Sequence, residues 1–434
     1  MIAGDGARGG TAGGLLYFRA LAGRDTAPGQ GGGTGVAADD YSGYMYELVD
    51  RAVSSIGPRE ACGEAEKELG RLFAAEVERA CSGVEFEDFT CSPKAFMGLF
   101  PFLVFAYAVG LVFYFMYPAV SFGLAAVGLA ALLLEVVRYR EFADFLFPRR
   151  EGQNVAGVIP PSGDIEQRLI VCAHLDSAYE FKIWYWFKSL AVPVMVTALL
   201  SVAVLMGASL ARLIAGESGL PGALAFKVIG IALIATAPFV VVMAFWHTSD
   251  VVPGAVDNMS GVAVLAGLAR YLEEASGNGE FHPRKTEVVL LACSSEEAGL
   301  RGAKRYAARH KSEFEDVPTR ALIIDSVHDE RFLTVFKREL WPGAKHDPGM
   351  VALVRDSARA AGYEPKVAIM PLGASDAAAF TLAGIPSTFV CCMDSSRIVP
   401  HYHTRLDTVD LIRPQSLACA LALTIETLKR IDGS

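Results

Sequence analysis

The sequence predicts an α/β protein whose mostly parallel, mixed sheet is flanked by helices and interrupted by four transmembrane helices in two hairpins. Two observations support this prediction. Strand-like apolar runs alternate with amphipathic helices after residue 247, a pattern typical of a parallel sheet covered by helices on both faces. Residues 96–134, 189–211 and 228–246 lack charged side chains, and the first run is long enough for two spans of the ~20 residues that cross a bilayer, so the earlier part of the chain offers four spans.

The chain begins with a glycine-rich segment, residues 1–38, that predicts a disordered lead because it has too few apolar side chains to offset the entropy of ordering. Residues 39–95 predict the first part of the α/β domain. Apolar side chains at helical spacing surround Gly57 and Pro58, and VEFEDFTC then alternates as a strand does. The expected order is helix, turn, helix, strand.

Residues 96–136 predict the first transmembrane hairpin, with Pro118 at its turn, and residues 189–246 predict the second. Aromatic side chains at 184–186 and at Trp246 flank the second pair, as is common at the lipid–water interface. The alternative is that these runs are buried core helices of a large soluble protein. Four such runs, an apolar fraction of 52% and a mean hydropathy of +0.35 favour the membrane.

Residues 137–188 and 247–434 predict the rest of the α/β domain. Two strands, NVAGVIP and RLIVCAHLDS, precede the second hairpin. The main part then alternates helices and strands, in the order SGVAVLAGLARYLEEA, TEVVLLACS, a helix from Gly302, TRALIIDSV, MVALVRDSARAAG, KVAIMP, DAAAFTLAG, PSTFVCC and a helix from Pro414.

Five segments near strand ends carry side chains of the kinds that bind metal ions. They are HLDS (His174, Asp176), PGAVDNMSG (Asp257, Asn258), CSSEEAGLRG (Glu296, Glu297), LIIDSVHD (Asp325) and HYHTRLDTVD (His401, His403, Asp407). Each alone could be an ordinary turn or helix cap. Together they supply the donors for two Zn²⁺ ions that share one bridging carboxylate and keep open positions for water and substrate.

The order of these motifs, with GASDAAAFTLAGIPSTFV between the last two, resembles the co-catalytic zinc aminopeptidases. This family includes glutamate carboxypeptidase-like and glutaminyl cyclase-like relatives. The resemblance covers roughly residues 45–95, 152–180 and 250–434 and leaves out the apolar runs.

The resemblance implies a role for each candidate residue. It implies that His174 and Asp325 bind one zinc ion, that Glu297 and His403 bind the other, and that Asp257 bridges them.

It also places Glu296 where the family has its general base, and a carboxylate there can move a proton from water to the leaving amine. Asp176 is expected to fix the tautomer of an imidazole ligand, although it could be only a turn former.

Several other polar residues near these motifs have no predicted catalytic role. His401 is expected to be structural or to face the substrate, because the family pattern favours the His immediately before Thr404. No function is predicted for Ser375, Asp376, His247 and His328.

The second hairpin separates two predicted metal ligands. In the family the first His and the bridging Asp are joined by a short loop, whereas His174 and Asp257 are 83 positions apart here. A hairpin leaves and returns on the same side, so it can replace a surface loop without disrupting the sheet. We therefore expect it to position the site at the bilayer surface without building the metal centre.

The charges near the spans predict that the catalytic domain is cytoplasmic. Seven cationic side chains lie close to span ends on the catalytic side, namely Lys94, Arg138, Arg140, Arg149, Arg150, Lys182 and Lys188. Only Arg212 and Lys227 lie on the other side, so the positive-inside rule favours a cytoplasmic domain. Eight cysteines without a CxxC pair suggest reduced thiols.

The sequence thus predicts a membrane-integral di-zinc metallopeptidase, most simply an aminopeptidase, with a peptide substrate and the lipid bilayer as partners. The alternatives are a carboxypeptidase, an amidase or cyclase acting on small peptide-like molecules, and a metal-free receptor or scaffold. A net charge of −9 without a basic stripe argues against nucleic acid binding. The oligomeric state is not predicted.

Overall fold

A computed structural model describes residues 38–215, 220–246, 248–394 and 399–434. The predicted disordered lead lies outside the described residues except for Ala38. Within the described residues, one sheet contains nine strands. They are β1 (Gly83–Cys91), β2 (Arg150–Ile159), β3 (Gln167–His174), β4 (Thr286–Cys293), β5 (Thr319–Val327), β6 (Thr334–Glu339), β7 (Ala344–Lys345), β8 (Lys366–Met370) and β9 (Ser387–Cys392).

Helices cover both faces of this sheet and form the apolar part of the chain. They are α1 (Ser42–Ser55), α2 (Glu64–Val77), α3 (Phe100–Met116), α4 (Pro118–Ala131), α5 (Ala191–Ala215), α6 (Leu220–Val242), α7 (Ser260–Gly277), α8 (Arg301–Arg309), α9 (Lys311–Asp316), α10 (Pro348–Ala360), α11 (Asp376–Leu382) and α12 (Pro414–Asp432), and two short helices, Ala95–Gly98 and Lys182–Phe187, precede α3 and α5. Helices α1, α2, α7, α10 and α12 pack on one face of the sheet, and α8 and α11 pack on the other. The predicted mixed α/β sheet flanked by helices is therefore confirmed.

The centre of the sheet is parallel, antiparallel pairs add β2, β1, β6 and β7 to it, and β8 pairs with β6 in parallel. The strand order is β1-β2-β4-β3-β5-β9-β6-β7, with β8 beside β6. Strands β4, β3, β5 and β9 run parallel, and His174 at the end of β3 is level with Cys293 at the end of β4. The carboxyl ends of these strands meet at one edge, so the loops that follow them converge there.

Two strands, β6 and β7, are absent from the sequence prediction. Strand β6 has the sequence TVFKRE, in which adjacent charged residues, Lys337 and Arg338, break the alternation that identifies a half-buried strand. It forms because it pairs with both β9 and β8, which are distant in the chain. Long-range pairing of this kind has no local sequence signal.

Four described helical segments are long and apolar enough to cross a membrane. They are Ala95–Met116, Pro118–Val137, Lys182–Ala215 and Gly222–Phe245. Only 17–28% of the residues in their apolar windows are buried, so most of their large side chains face outward. This exposure disfavours the alternative of buried core helices, because a soluble monomer rarely exposes so large an apolar surface.

The four long apolar helices pack against one another. Helix α3 contacts α4 and α6, and α5 contacts α4 and α6. Polar contacts also join the two pairs. The Ser209 and Ser121 hydroxyls lie 2.8 Å apart between α5 and α4, and the Tyr107 hydroxyl donates to the Leu233 carbonyl at 3.2 Å between α3 and α6.

Candidate metal centre

The predicted metal ligands lie on five different segments of the fold. His174 is the last residue of β3, and Glu297 follows the end of β4. Asp325 is in β5 beside a bulge, Asp257 is in the irregular turn before α7, and His403 is in the loop before α12. All five segments converge at the carboxyl edge of the parallel strands, where functional residues of such sheets gather.

The carboxylate of Asp257 lies between the two histidines. Its Oδ1 is 3.1 Å from His174 Nε2, and its Oδ2 is 3.2 Å from His403 Nε2. The Nε2 atom of His403 is also 3.3 Å from Oε1 of Glu297. A carboxylate with one oxygen toward each imidazole has the arrangement that the sequence predicts for a ligand shared by two metal ions.

Asp325 belongs to the same buried group. Burial and then the charge of Asp257 raise the pKa of Asp325 to about 6. Its Oδ1 accepts a hydrogen bond from the Ser326 hydroxyl at 2.9 Å. The charges of Asp257 and His174 both act on this carboxylate, so Asp325 lies near these two predicted ligands.

Asp176 connects the two predicted metal-binding loops. Its carboxylate oxygens accept hydrogen bonds from the backbone N–H groups of Glu296 and Glu297, both at 3.0 Å. His174 Nδ1 lies 3.0 Å from the backbone carbonyl of Asp176 and 3.4 Å from its carboxylate. A proton on Nδ1 would satisfy these acceptors and leave Nε2 free for a metal ion. The side chain of Asp176 thus mainly orients the Glu296–Glu297 turn, while its backbone contacts the imidazole.

Glu296 is buried beside the ligands. Burial raises the pKa of Glu296 well above its usual range, and the charge of Glu297 adds to this effect while His174 opposes it. Burial likewise raises the pKa of Glu297, followed by the charge of Asp257. Perturbed carboxyl groups in a cleft are typical of functional sites.

Two carboxylates accept hydrogen bonds from the backbone of the predicted metal-binding loops. The sequence predicted a role for neither. The Asp407 carboxylate accepts hydrogen bonds from the backbone N–H groups of Val256 at 2.7 Å and Asp257 at 3.1 Å. Glu66 in α2 accepts from the backbone N–H of Ser295 at 2.7 Å. Asp407 lies in the motif HYHTRLDTVD, so the sequence could have indicated its role. Nothing in the sequence around Glu66 indicates its contact with Ser295.

Arg59 also stabilises the site and was missed. Its guanidinium is fully buried and donates to the carbonyl oxygens of Leu175, Pro253 and Gly254 at 2.7–3.0 Å. It therefore joins the two ends of the second apolar insertion next to His174 and Asp257. Such a contact depends on chain segments far apart in sequence.

The second apolar insertion is joined to the metal centre more closely than the sequence predicts. The Phe181 ring lies 4.5 Å from the His403 ring in an edge contact, and the Phe181 N–H donates to the His403 carbonyl at 2.8 Å. Glu180 forms two hydrogen bonds of 2.7 Å with the guanidinium of Arg405. The base of this insertion therefore positions the loop that carries His403.

The remaining polar residues of the motifs lie around the centre. His401 packs edge-on against His328 at 4.9 Å, and burial lowers the pKa of His401 to about 4. Ser375 caps α11 and donates to Glu339 at 2.9 Å. Asp376 is buried near Cys172, with a sulfur–oxygen distance of 3.9 Å. His247 lies outside the described residues.

The donor set fits bound cations. Ligand atoms of His174, Asp257 and Glu297 all lie within 4.8 Å of one another, and Glu297 Oε1 is buried without a hydrogen-bond partner. Several carboxylates crowd around two imidazoles, and buried negative charge is costly unless cations compensate it. Imidazole nitrogen and carboxylate oxygen are suitable ligands for Zn²⁺.

Comparison with known proteins agrees with this geometry. The sequence pattern of Peptidase family M28 matches residues 229–428. The curated protein Aminopeptidase NAALADL1 of Rattus norvegicus is 26% identical over 208 residues, which is 43% of this chain. This chain spans only 28% of that relative's length, and the corresponding protein of Mus musculus matches equally.

Solved structures share the fold. BSAP, a zinc aminopeptidase from Bacillus subtilis, has a TM-score of 0.53 at 16% identity, covering 90% of this chain and 95% of its own. The glutaminyl cyclase of an Acidobacteriales bacterium has a TM-score of 0.53 at 15% identity, covering 94% and 99%. The family match over residues 229–428 and the shared fold agree with the metallopeptidase that the motifs predict. The resemblance inferred from the motifs is therefore confirmed: the chain has the fold of the zinc aminopeptidases, and residues 229–428 match peptidase family M28.

Proposed function

We propose that this protein is a membrane-integral di-zinc aminopeptidase that hydrolyses the amino-terminal peptide bond of peptides. The observation that carries the proposal is the Asp257 carboxylate, which has one oxygen 3.1 Å from His174 Nε2 and the other 3.2 Å from His403 Nε2. His174 and Asp325 would hold one ion, Glu297 and His403 the other, and Asp257 both.

Glu296 is the proposed general base. Two bound Zn²⁺ ions would lower the pKa of the attacking water and polarise the scissile carbonyl. The Glu296 carboxylate takes the proton from that water and then passes it to the nitrogen of the leaving amine. Asp176 keeps Glu296 in place for both transfers, because it accepts the backbone N–H groups of Glu296 and Glu297 at 3.0 Å.

The proposal includes a place in the membrane. The four apolar helices would form a membrane anchor in two hairpins, and the excess of Lys and Arg near their ends on the catalytic side favours a cytoplasmic catalytic domain. A reporter fused after Ser434 should therefore be active in the cytoplasm. Activity of such a fusion only outside the cytoplasm would contradict this orientation.

The decisive experiment compares two substitutions in the purified full-length protein. Glu296→Gln should keep about two zinc ions per chain, because Glu296 is not a ligand, and should lower the rate on amino-terminal reporter peptides by about 10² to 10⁴. Asp257→Ala should lose both zinc and activity. Glu273→Gln is a suitable control, since Glu273 is exposed on α7. Absence of bound zinc, or full activity of Glu296→Gln, would refute the proposal.

The same donor set could serve other hydrolytic or cyclising reactions. A panel that includes peptides with blocked amino termini and free carboxyl termini separates an aminopeptidase from a carboxypeptidase. Release of ammonia from amino-terminal glutamine peptides would indicate a cyclase. A chain without zinc would agree with the receptor or scaffold alternative.

A further inference from the structure

Two buried cysteines lie side by side on adjacent strands of the sheet. Cys293 ends β4 level with His174, and Cys172 precedes His174 by two residues in β3. Side chains two residues apart on a strand point to the same face, and both thiols lie on the face that α8 and α11 cover. Their sulfur atoms are 3.4 Å apart, and both side chains are fully buried. The fold thus places a pair of sulfur donors beside a predicted metal ligand.

The first residue of α11 adds a carboxylate to this pair. Asp376 Oδ2 lies 3.9 Å from the Cys172 sulfur, and ligand atoms of Cys172, Cys293 and Asp376 all lie within 4.8 Å of one another. Asp376 is 1% exposed, and its Oδ1 is buried without a hydrogen-bond partner. A buried carboxylate in this state is costly unless it binds a proton or a cation. The cluster therefore contains an oxygen donor whose bonding is incomplete.

The distances within the cluster suit a metal ion. Zn²⁺ binds thiolate sulfur at about 2.3 Å and carboxylate oxygen at about 2.0–2.2 Å, so in a tetrahedral site two sulfurs lie about 3.8 Å apart and a sulfur and an oxygen about 3.6 Å apart. The observed separations, 3.4 Å between the sulfurs and 3.9 Å between Cys172 and Asp376, are close to these values. A cation between the three side chains would require only small movements of them.

We propose that Cys172, Cys293 and Asp376 bind a thiophilic divalent cation of the Zn²⁺ class. This ion is additional to the two ions of the proposed catalytic centre. Thiolate ligands are soft and select such metals over Mg²⁺ and Ca²⁺. Each thiol loses its proton as its sulfur binds the metal, so two protons pass to solvent for each ion bound. The ion would join β3, β4 and α11 beside His174.

Sulfur ligands give this site a spectroscopic signal that the proposed catalytic centre cannot give. The ligands proposed for the two catalytic ions are histidine and carboxylate side chains, whereas Cd²⁺ bound to thiolate absorbs in the ultraviolet by charge transfer from sulfur. The full-length protein in detergent, stripped of metal with a chelator and titrated with Cd²⁺, should develop this band. Absence of the band in the parent overturns the inference, and a protonated Asp376 beside neutral thiols would give that result.

Substitutions assign the band to these side chains. Cys172→Ala removes one sulfur and should abolish the band. Asp376→Asn keeps the shape of the side chain and should weaken the binding of Cd²⁺ by about 10-fold or more, since even the loss of an outer contact to a metal ligand costs about 10- to 100-fold. Unchanged Cd²⁺ affinity in Asp376→Asn excludes the carboxylate and overturns the proposed site.

Another cysteine pair provides a matched control. The sulfurs of Cys62 and Cys91 are also buried and lie 3.5 Å apart. Among the described residues, however, no His, Cys or carboxylate donor lies within 4.8 Å of both of these sulfurs. Cys91→Ala should therefore keep the whole band. A band that persists in Cys172→Ala, or one that is lost in Cys91→Ala, overturns the assignment.

Metal content separates this inference from the proposed function. Asp257→Ala removes the proposed bridging ligand, so any zinc that this variant retains should be lost when Cys172→Ala is added to it. If the parent hydrolyses no reporter peptide, the proposed function fails, but the Cd²⁺ band still tests the cysteine site. A disulfide between Cys172 and Cys293 in the purified protein, detected by mass spectrometry, overturns the inference because oxidised sulfurs cannot hold the ion.

Discussion

The two apolar insertions contact different loops of the proposed site. The first is joined by buried charges, with Arg301 between Glu135, Asp144 and the carbonyl of Ala298. The second is joined at the loop of His403, where the Phe181 ring lies 4.5 Å from the His403 ring and Glu180 pairs with Arg405, and by the buried Arg59 at its base. The first therefore acts on the turn of the proposed base, whereas the second acts on the loop of a proposed metal ligand. The two apolar insertions thus contact the proposed site in two distinct ways.

The largest expected effect is the loss of the buried charge that joins the first insertion. Arg301→Met removes the cation and leaves the carboxylates of Glu135 and Asp144 without compensation, which should lower the free energy of unfolding by about 3 to 5 kcal/mol. Denaturant unfolding of the purified protein in detergent measures the change. Arg359→Met is the control, because Arg359 pairs with Glu364 at the surface and should be tolerated. Equal stability of the two variants would show that the buried charges do not stabilise this junction.

Zinc affinity tests most directly whether the two apolar insertions act on different loops of the proposed site. Phe181→Leu removes the ring that packs on His403 and should weaken zinc binding by about 10- to 100-fold, the usual effect of losing a contact that orients a metal ligand. Glu135→Gln alters the first junction instead and should leave zinc affinity unchanged while lowering kcat. Competition with a zinc chelator measures both affinities. Weaker zinc binding in Glu135→Gln and not in Phe181→Leu would reverse the assignment of the two junctions.

A smaller effect concerns the pH dependence of the metal-free protein. Burial and then the charge of Asp257 raise the pKa of Asp407 to about 7, from 3.8 in the unfolded chain. A carboxyl group with a raised pKa stabilises the fold below pH 3.8, and this stability is lost as pH rises through about 7. The free energy of unfolding should therefore fall as pH rises across this interval, as far as this group is concerned.

The first insertion contacts a carboxyl group, Glu141, whose pKa is lowered, whereas the pKa of Asp407 is raised. Burial opposes ionisation of Glu141, but Arg305 and Arg301 outweigh it and lower its pKa, so its contribution is lost as pH falls. Asp407→Asn should flatten the neutral-pH loss of stability in the metal-free protein, whereas Glu141→Gln should not. Thermal unfolding with a chelator present, between pH 4 and 8, measures this. A metal-free protein whose stability rises with pH in both the parent and Asp407→Asn would contradict the account of Asp407.

Most of the sheet and most of the proposed ligands were predictable from the sequence. Strands β3, β4 and β5 are short apolar runs bounded by polar residues, so local periodicity identifies them and places His174, Glu297 and Asp325 at or near their ends. The structure then brings Asp257 and His403 to the same edge. Strand β6 was missed because its pairing with β9 and β8 is long-range and its own sequence is mixed.

The sequence by itself determined the fold class, the apolar helices and the set of candidate metal ligands, because periodicity, hydropathy and motif order are local properties of the chain. The tertiary structure alone decided what supports that set. Arg59 and Asp407 contact loops that are far from them in the chain, and Arg301 pairs with the distant carboxylates of Glu135 and Asp144. A buried charge obtains such partners only when the fold brings distant segments together, so no local pattern can reveal them.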